Sequence, residues 1–186
     1  MANNSELFDR LAEIALSEGA YKAAVIDASL VETDEVFRAL CESNACGMYG
    51  RCWMCPPDVG EIEDLMAEIH TFDHVLVYQT IGELEDSYDV EGMGETAKAH
   101  TALTLRLTDA LSDLPFSKKL HLSKGGCQIC PVCTKVQGKP CRFPDRAIPS
   151  LEAYGVNVSK LATSAGMKYV NGQNTVTYFG ALFFNL

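Results

Sequence analysis

The chain has 186 residues, 47% of them hydrophobic and 22% charged, and a net charge of −10. That length buries a core without cross-links and predicts a single α/β domain over residues 1–186. The acidity argues against nucleic acid, which needs a basic face, and no stretch approaches the ~20 apolar residues that span a bilayer.

The N-terminus, MANNSELFDRLAEI, has neither a basic start nor an apolar run. No signal peptide is expected, and the chain is expected to be cytoplasmic. In that compartment disulfides are disfavoured, and clustered thiols more often bind metal or do redox work.

In chain order, a first helix is predicted from Glu6 to Ser17, with Leu7, Leu11, Ile14 and Ala15 on one face and Gly19 as its stop. Ala23 to Ala28 reads as a buried strand. Thr33 suits the cap of a short helix from Asp34 to Leu40, which delivers the chain to Cys41. Pro56-Pro57 ends the first cysteine loop. Asp58 and Glu61 have capping-box spacing ahead of a helix carrying Ile62, Leu65, Met66 and Ile69.

His74 to Thr80 reads as a strand, and the acidic, Gly-containing residues 82–96 as a surface loop. A long helix from Ala97 to Leu114 is ended by Pro115. Lys118 to Ser123 is a short strand, and Gly125-Gly126 lead into the second cysteine cluster. Ser150 behind Pro149 suits the cap of a short turn. A helix from Val156 to Ala165, closed by Gly166, precedes a hairpin of Met167–Val170 and Thr175–Phe184 around Asn171–Asn174. The last strand is apolar enough to be central or well covered. The expected architecture is an α/β sandwich: a mixed sheet of about five strands, helices packed on it, and two cysteine-rich metal-binding loops.

The eight cysteines fall in two groups of four: Cys41, Cys46, Cys52 and Cys55, and Cys127, Cys130, Cys133 and Cys141. Four thiolates are the ligand set of a tetrahedral zinc or of an iron–sulfur cube. The triple Cys127-x2-Cys130-x2-Cys133 matches the loops that wrap a [4Fe–4S] cluster, with Gly138 and Pro140 turning the chain back to Cys141. Structural zinc more often takes two separated C-x2-C pairs, so iron–sulfur is favoured over zinc here. The spacing of the first group is less stereotyped and leaves a second [4Fe–4S] cluster and zinc equally open. The two loops converging, with some cysteines merely nearby, is a further reading. Trp53 reads as a core anchor, or as a shield for the site.

Five basic residues, Lys124, Lys135, Lys139, Arg142 and Arg146, surround the second group and would offset thiolate charge, or are solvated loop charges. His121, six residues before Cys127, reads as a strand histidine, with an alternate ligand the second reading. His100 reads as a surface or core polar residue. Glu152 reads as a helix N-terminal charge, or as an acid beside the metal ligands. No HExxH, GxSxG, P-loop or GxGxxG is present.

The pattern C-x4-C…YG…CPP, C-x2-C-x2-C…CR-x-P and PS-x-EA-x-G-x-x-V resembles a family of small cysteine-rich predicted metal-binding proteins of unknown function from anaerobic prokaryotes. Here it falls on Cys41, Cys46, Tyr49, Gly50, Cys55, Pro56, Pro57, Cys127, Cys130, Cys133, Cys141, Arg142, Pro144, Pro149, Ser150, Glu152, Ala153, Gly155 and Val158. The resemblance implies metal, with iron–sulfur favoured, and gives no reaction. Cys52 stands outside the pattern.

The sequence therefore points to an electron-transfer or redox-accessory protein with one or two [4Fe–4S] clusters and a redox partner protein. A zinc-stabilised binding module is one alternative. The other is an enzyme whose first site, lacking Cys52, leaves an iron position open. Oligomeric state is left open: Phe183, Phe184 and Leu186 read as core or as a dimer edge.

Overall fold

The computed structural model describes residues 4–186; residues 1–3 of the N-terminal stretch lie outside them. Among the described residues are five α-helices, α1 (Asn4–Ser17), α2 (Val36–Glu42), α3 (Ile62–Ile69), α4 (Val90–Ala110) and α5 (Val158–Ser164). Four strands accompany them, β1 (Lys22–Asp27), β2 (His74–Glu83), β3 (Lys118–Leu122) and β4 (Thr175–Asn185).

The strands form one open sheet in the order β1-β2-β4-β3. Every pairing of named strands is antiparallel, so the expected mixed sheet is not what forms. The apolar last strand is indeed central: β4 pairs with the whole of β2 and with β3 over five residues.

Side chains alternate across the sheet. Leu76, Tyr78, Leu182 and Phe184 face α1 and α4, where Leu11, Leu103 and Leu107 cover them. Val75, Val77, Ala181 and Phe183 face the other way, under α3 and α5, against Leu65, Ile69, Leu161 and Leu151. Both faces are buried, which is why β2 and β4 read as nearly continuous apolar runs.

Several expected boundaries shift for local reasons. The 82–96 segment is not a loop: β2 runs on to Glu83, and α4 begins at Val90. Asp89 starts that helix by accepting the Gly92 N–H at 2.8 Å, overriding the glycines behind it. At α3 the capping box does not form, because Asp58 is paired instead with Lys135. Asp34, not Thr33, accepts the Val36 N–H that opens α2. Ser150 does cap its short turn, accepting from Ala153 N–H at 3.0 Å. Met167–Val170 makes no hairpin: Met167 is buried beneath α5, and Tyr169 and Val170 are exposed.

Two connections fix the end of the sheet that carries the cysteines. Ser123, just past β3, bridges Ser150 in parallel, giving its N–H to Pro149 and accepting that of Leu151. Residues 32–34 run beside 155–157, through Asp34 N–H to Gly155 O and Asn157 N–H to Glu32 O. These place α2 and the Glu152–Tyr154 turn side by side.

Gly180 is opposite Tyr78 in the sheet, and a Cβ there would lie 2.2 Å from the Tyr78 ring. A buried ring in a packed core cannot step aside cheaply. Gly180→Ala is expected to cost about 1–3 kcal/mol, read as a lower denaturant midpoint with unchanged slope.

Candidate metal centre

The first cysteine loop leaves α2 through Cys41, the last residue but one of that helix. Its other end is a turn in which Gly50 N–H bonds Pro56 O and Val59 N–H bonds Cys55 O. Arg38, buried on α2, holds the loop in place: its guanidinium donates to Gly60 O at 2.9 Å and to Ala153 O at 3.3 Å. The second loop leaves β3 and returns at the Ser123–Ser150 bridge.

The two loops dock on each other. Trp53 Nε1 donates to Lys139 O at 3.0 Å, and Lys135 Nζ sits 4.3 Å above the Trp53 ring while pairing with Asp58. Trp53 is thus a half-buried clamp between the loops and not the core anchor expected of it. Gly126 lets the second loop close on the first, since a Cβ there would lie 3.1 Å from both Cys55 Sγ and the Met48 methyl.

The sulfurs regroup in space. Cys41, Cys46 and Cys55 line one cavity of about 230 Å³ with Met48, Tyr49 and Glu152. Cys127, Cys130, Cys133 and Cys141 line another, much tighter space of about 20 Å³, and Cys52 lines that one too. Four and four along the chain become three and five. Cys52 is the joint: it is fully buried, with the thiols of Cys55 and Cys133 and the backbone of Cys127 as neighbours. The two loops therefore converge into adjoining sulfur groups.

Charge is unevenly placed among them. The neighbouring Cys55 thiol holds the Cys52 thiol below its usual range, helped by the Met54 and Cys127 backbone against the cost of burial. The same neighbour, with burial, pushes Cys55 up. Burial raises Cys41, with nearby Glu152 adding to it, and burial raises Cys127. Glu152 is itself raised by burial against hydrogen bonds from its own backbone and Ser150. Of the five surrounding cations, Lys135 is engaged by Asp58 and Arg146 by Asp109, while Lys124 reaches Gln128 and lines a small space with Cys127.

All eight cysteines are free thiols. The donor chemistry fits a thiophilic metal: partly buried, unpaired sulfurs on irregular loops held by rigid elements. It is not preformed, since among the described residues no group of three His, Cys, Asp or Glu side chains is arranged to hold a metal ion as it stands. His121 is no ligand: its nitrogens are bonded to Thr108 and Tyr78 at 2.9 and 2.8 Å. His100 is fully buried on α4 and bonded to Thr80. Glu152 emerges as more than a helix-start charge, because it faces the Cys41 cavity; its place in PS-x-EA was the signal. Lys135 and Asp58 had none, being 77 residues apart.

An α/β sandwich with paired thiol-bearing loops is the frame of a metal-binding protein, and the sequence comparison agrees. The chain belongs to the family described as Predicted metal-binding protein (DUF2284), which matches residues 24–184. No curated protein and no solved structure matches it. No helix among the described residues is long and apolar enough to cross a membrane.

Trp53→Ala removes both the hydrogen bond and the cation–π contact that join the loops. Tryptic cleavage after Lys135 is expected to rise several-fold. A fall in stability of about 1–3 kcal/mol is expected to accompany it in thermal denaturation.

Proposed function

We propose that this protein is a [4Fe–4S] protein of electron transfer, with Cys127, Cys130, Cys133 and Cys141 as one ligand set and Cys41, Cys46, Cys52 and Cys55 as the other. The observation that carries the reading is the gathering of eight free thiols into two adjoining groups on docked loops. When bound, such clusters supply one-electron transfer at a potential set by hydrogen bonds to sulfur and by solvent exposure. The chain's own part is to shield and to tune. Trp53 and Met54 cover the tighter group, and its Ile129 and Phe143 walls keep water away. Lys124 and Lys135 place positive charge beside it. Function as a redox accessory implies a partner protein that accepts or gives the electron, and the cytoplasm as its compartment.

A second reading is favoured by the position of Cys52. With Cys52 turned toward the other group, the first set has three thiolates and a cavity of about 230 Å³ beside them. A three-thiolate cluster leaves one iron open, and Glu152 is the acid that faces that space. That arrangement is one for a cluster-dependent enzyme acting on a small molecule.

Anaerobic purification followed by iron and acid-labile sulfide analysis tests the first reading. About eight irons and eight sulfides per chain are expected if both groups are filled, and about four if one is. Colourless protein with stoichiometric zinc overturns it in favour of a zinc-stabilised module, which would unfold under chelation. The single tryptophan, Trp53, lies among the ligands, so its fluorescence is expected to fall as iron is loaded.

Cys52→Ser separates the two readings. Unchanged iron content is expected if the first set is three-fold. Loss of one whole cluster, seen by the reduced-state paramagnetic resonance spectrum, would establish four-fold ligation and remove the open position.

A further inference from the structure

A separate polar system is buried on the α1/α4 face of the sheet. Thr108 Oγ1 lies 2.9 Å from His121 Nδ1, and His121 Nε2 lies 2.8 Å from Tyr78 Oη. Tyr78 Oη lies 2.8 Å from Thr104 Oγ1, which lies 3.0 Å from Ser123 Oγ. Tyr78, Thr104 and Ser123 are buried, and His121 and Thr108 are half-buried. Apolar side chains would fill these positions at no desolvation cost, whereas five polar groups must be fully satisfied to be tolerated. Packing alone gives no reason for them.

The chain has two different ends. Thr108 and His121 line a cavity of about 280 Å³ whose walls include Leu111, Leu120 and Ile148 and the charged Lys119, Asp145 and Arg146. Thr104 and Ser123 line a space of about 20 Å³ shared with Lys124, Gln128 and Cys127. That volume accommodates about one water, and the surrounding polar side chains supply the partners a buried water requires.

Every member both donates and accepts. In one polarity Thr108 donates to Nδ1, Nε2 to Tyr78, Tyr78 to Thr104, and Thr104, its hydrogen turned from the His100 carbonyl 3.0 Å away, to Ser123. In the reverse polarity Ser123 donates to Thr104, Thr104 to Tyr78, Tyr78 to Nε2, and Nδ1 to Thr108. The Thr108 hydroxyl hydrogen then turns to the Thr104 carbonyl, 2.9 Å away. Both polarities use the same heavy-atom positions. Burial pushes His121 down to about 3, so the ring is neutral near pH 7 and keeps one accepting nitrogen in either polarity.

We propose that this chain of hydrogen bonds is a proton relay. It joins the 280 Å³ cavity, as the site of a small organic molecule with an exchangeable proton on an apolar body, to the Cys127 end of the second cysteine loop. For each proton that enters at Thr108 one leaves at Ser123, and only O–H and N–H bonds are made and broken. His121 is the transferring group, and Tyr78 connects it to the far end. The relay stands whether the cysteines hold iron or zinc.

Solvent exchange of the Tyr78 Oη–H and of the His121 ring N–H, followed by NMR in the purified metal-loaded protein, tests it. The Tyr78 hydroxyl is expected to be at least about tenfold less protected than the β2 amides of Val75 to Val77, because exchange along a relay needs no opening of the sheet. Thr108→Val combined with Ser123→Ala is expected to raise its protection to that of those amides, and Thr108→Ser alone to leave exchange as in the unmodified protein. If the double variant does not fold, Thr108→Val alone is read at His121, whose exchange must slow. A Tyr78 hydroxyl as protected as the β2 amides in the unmodified protein overturns the relay. Exchange unaltered by loss of the hydroxyls in a folded variant overturns it equally.

Discussion

The cysteine-bearing end of this molecule depends on one short tie, the pair of backbone hydrogen bonds through which Ser123 holds Pro149 and Leu151. They close the long second loop at its base, so that a segment with no α-helix or strand leaves and re-enters the fold at one fixed point. The loop can then press on its neighbour through Trp53 and Lys135. The same tie aligns Ser150 and Glu152 with the mouth of the first loop. Because Ser123 continues β3, and β3 is held by the central strand β4, the rigidity of the sheet is passed to residues that lie outside it.

The sulfur arrangement shows how a loop's chemistry differs from its motif. Spacing along the chain makes Cys52 a companion of Cys55, and the Cys55 N–H does bond the Cys52 carbonyl at 3.0 Å. Yet its surroundings are those of the other group. The acidic protein keeps its compensating cations close to this region, partly by pairing them with acids from distant elements, Asp58 and Asp109. Lys135, held between Asp58 and the Trp53 ring, is fixed in position at a modest electrostatic gain, since partly exposed pairs are weakened by solvent.

Much of the fold was legible because burial imposes periodicity. The helices around Leu11 and Leu65, the strands at Ala24, Val75 and Leu120, and the central place of the last strand follow from apolar spacing alone. What was hidden had non-local or single-atom causes. The start of α4 depends on one carboxylate, Asp89, outweighing two glycines. The failure of the Asp58 cap depends on a lysine 77 residues away. Met167–Val170 looked like a strand because Met167 is apolar, but it packs under α5 with no sheet neighbour to pair with. The cysteine groups were legible as residues and not as a partition, because which loop Cys52 faces is decided by how the loops dock. The buried hydroxyl and imidazole chain left no sequence signal at all beyond Thr104 and Thr108 standing one helical turn apart.

The sheet is open at both sides, and its two edges are protected by unlike means. β1 is short and carries charge at each end, Lys22 and Asp27, which discourages another strand from adding to it. β3 is also short and begins Lys118-Lys119, and the return of the second cysteine loop runs past its far end. That loop is thus also a cover. Were it to swing away, the end of a five-residue strand would stand unpaired with Leu120 uncovered beside it. Order in the cysteine loop and protection of this sheet edge are then one property of the chain.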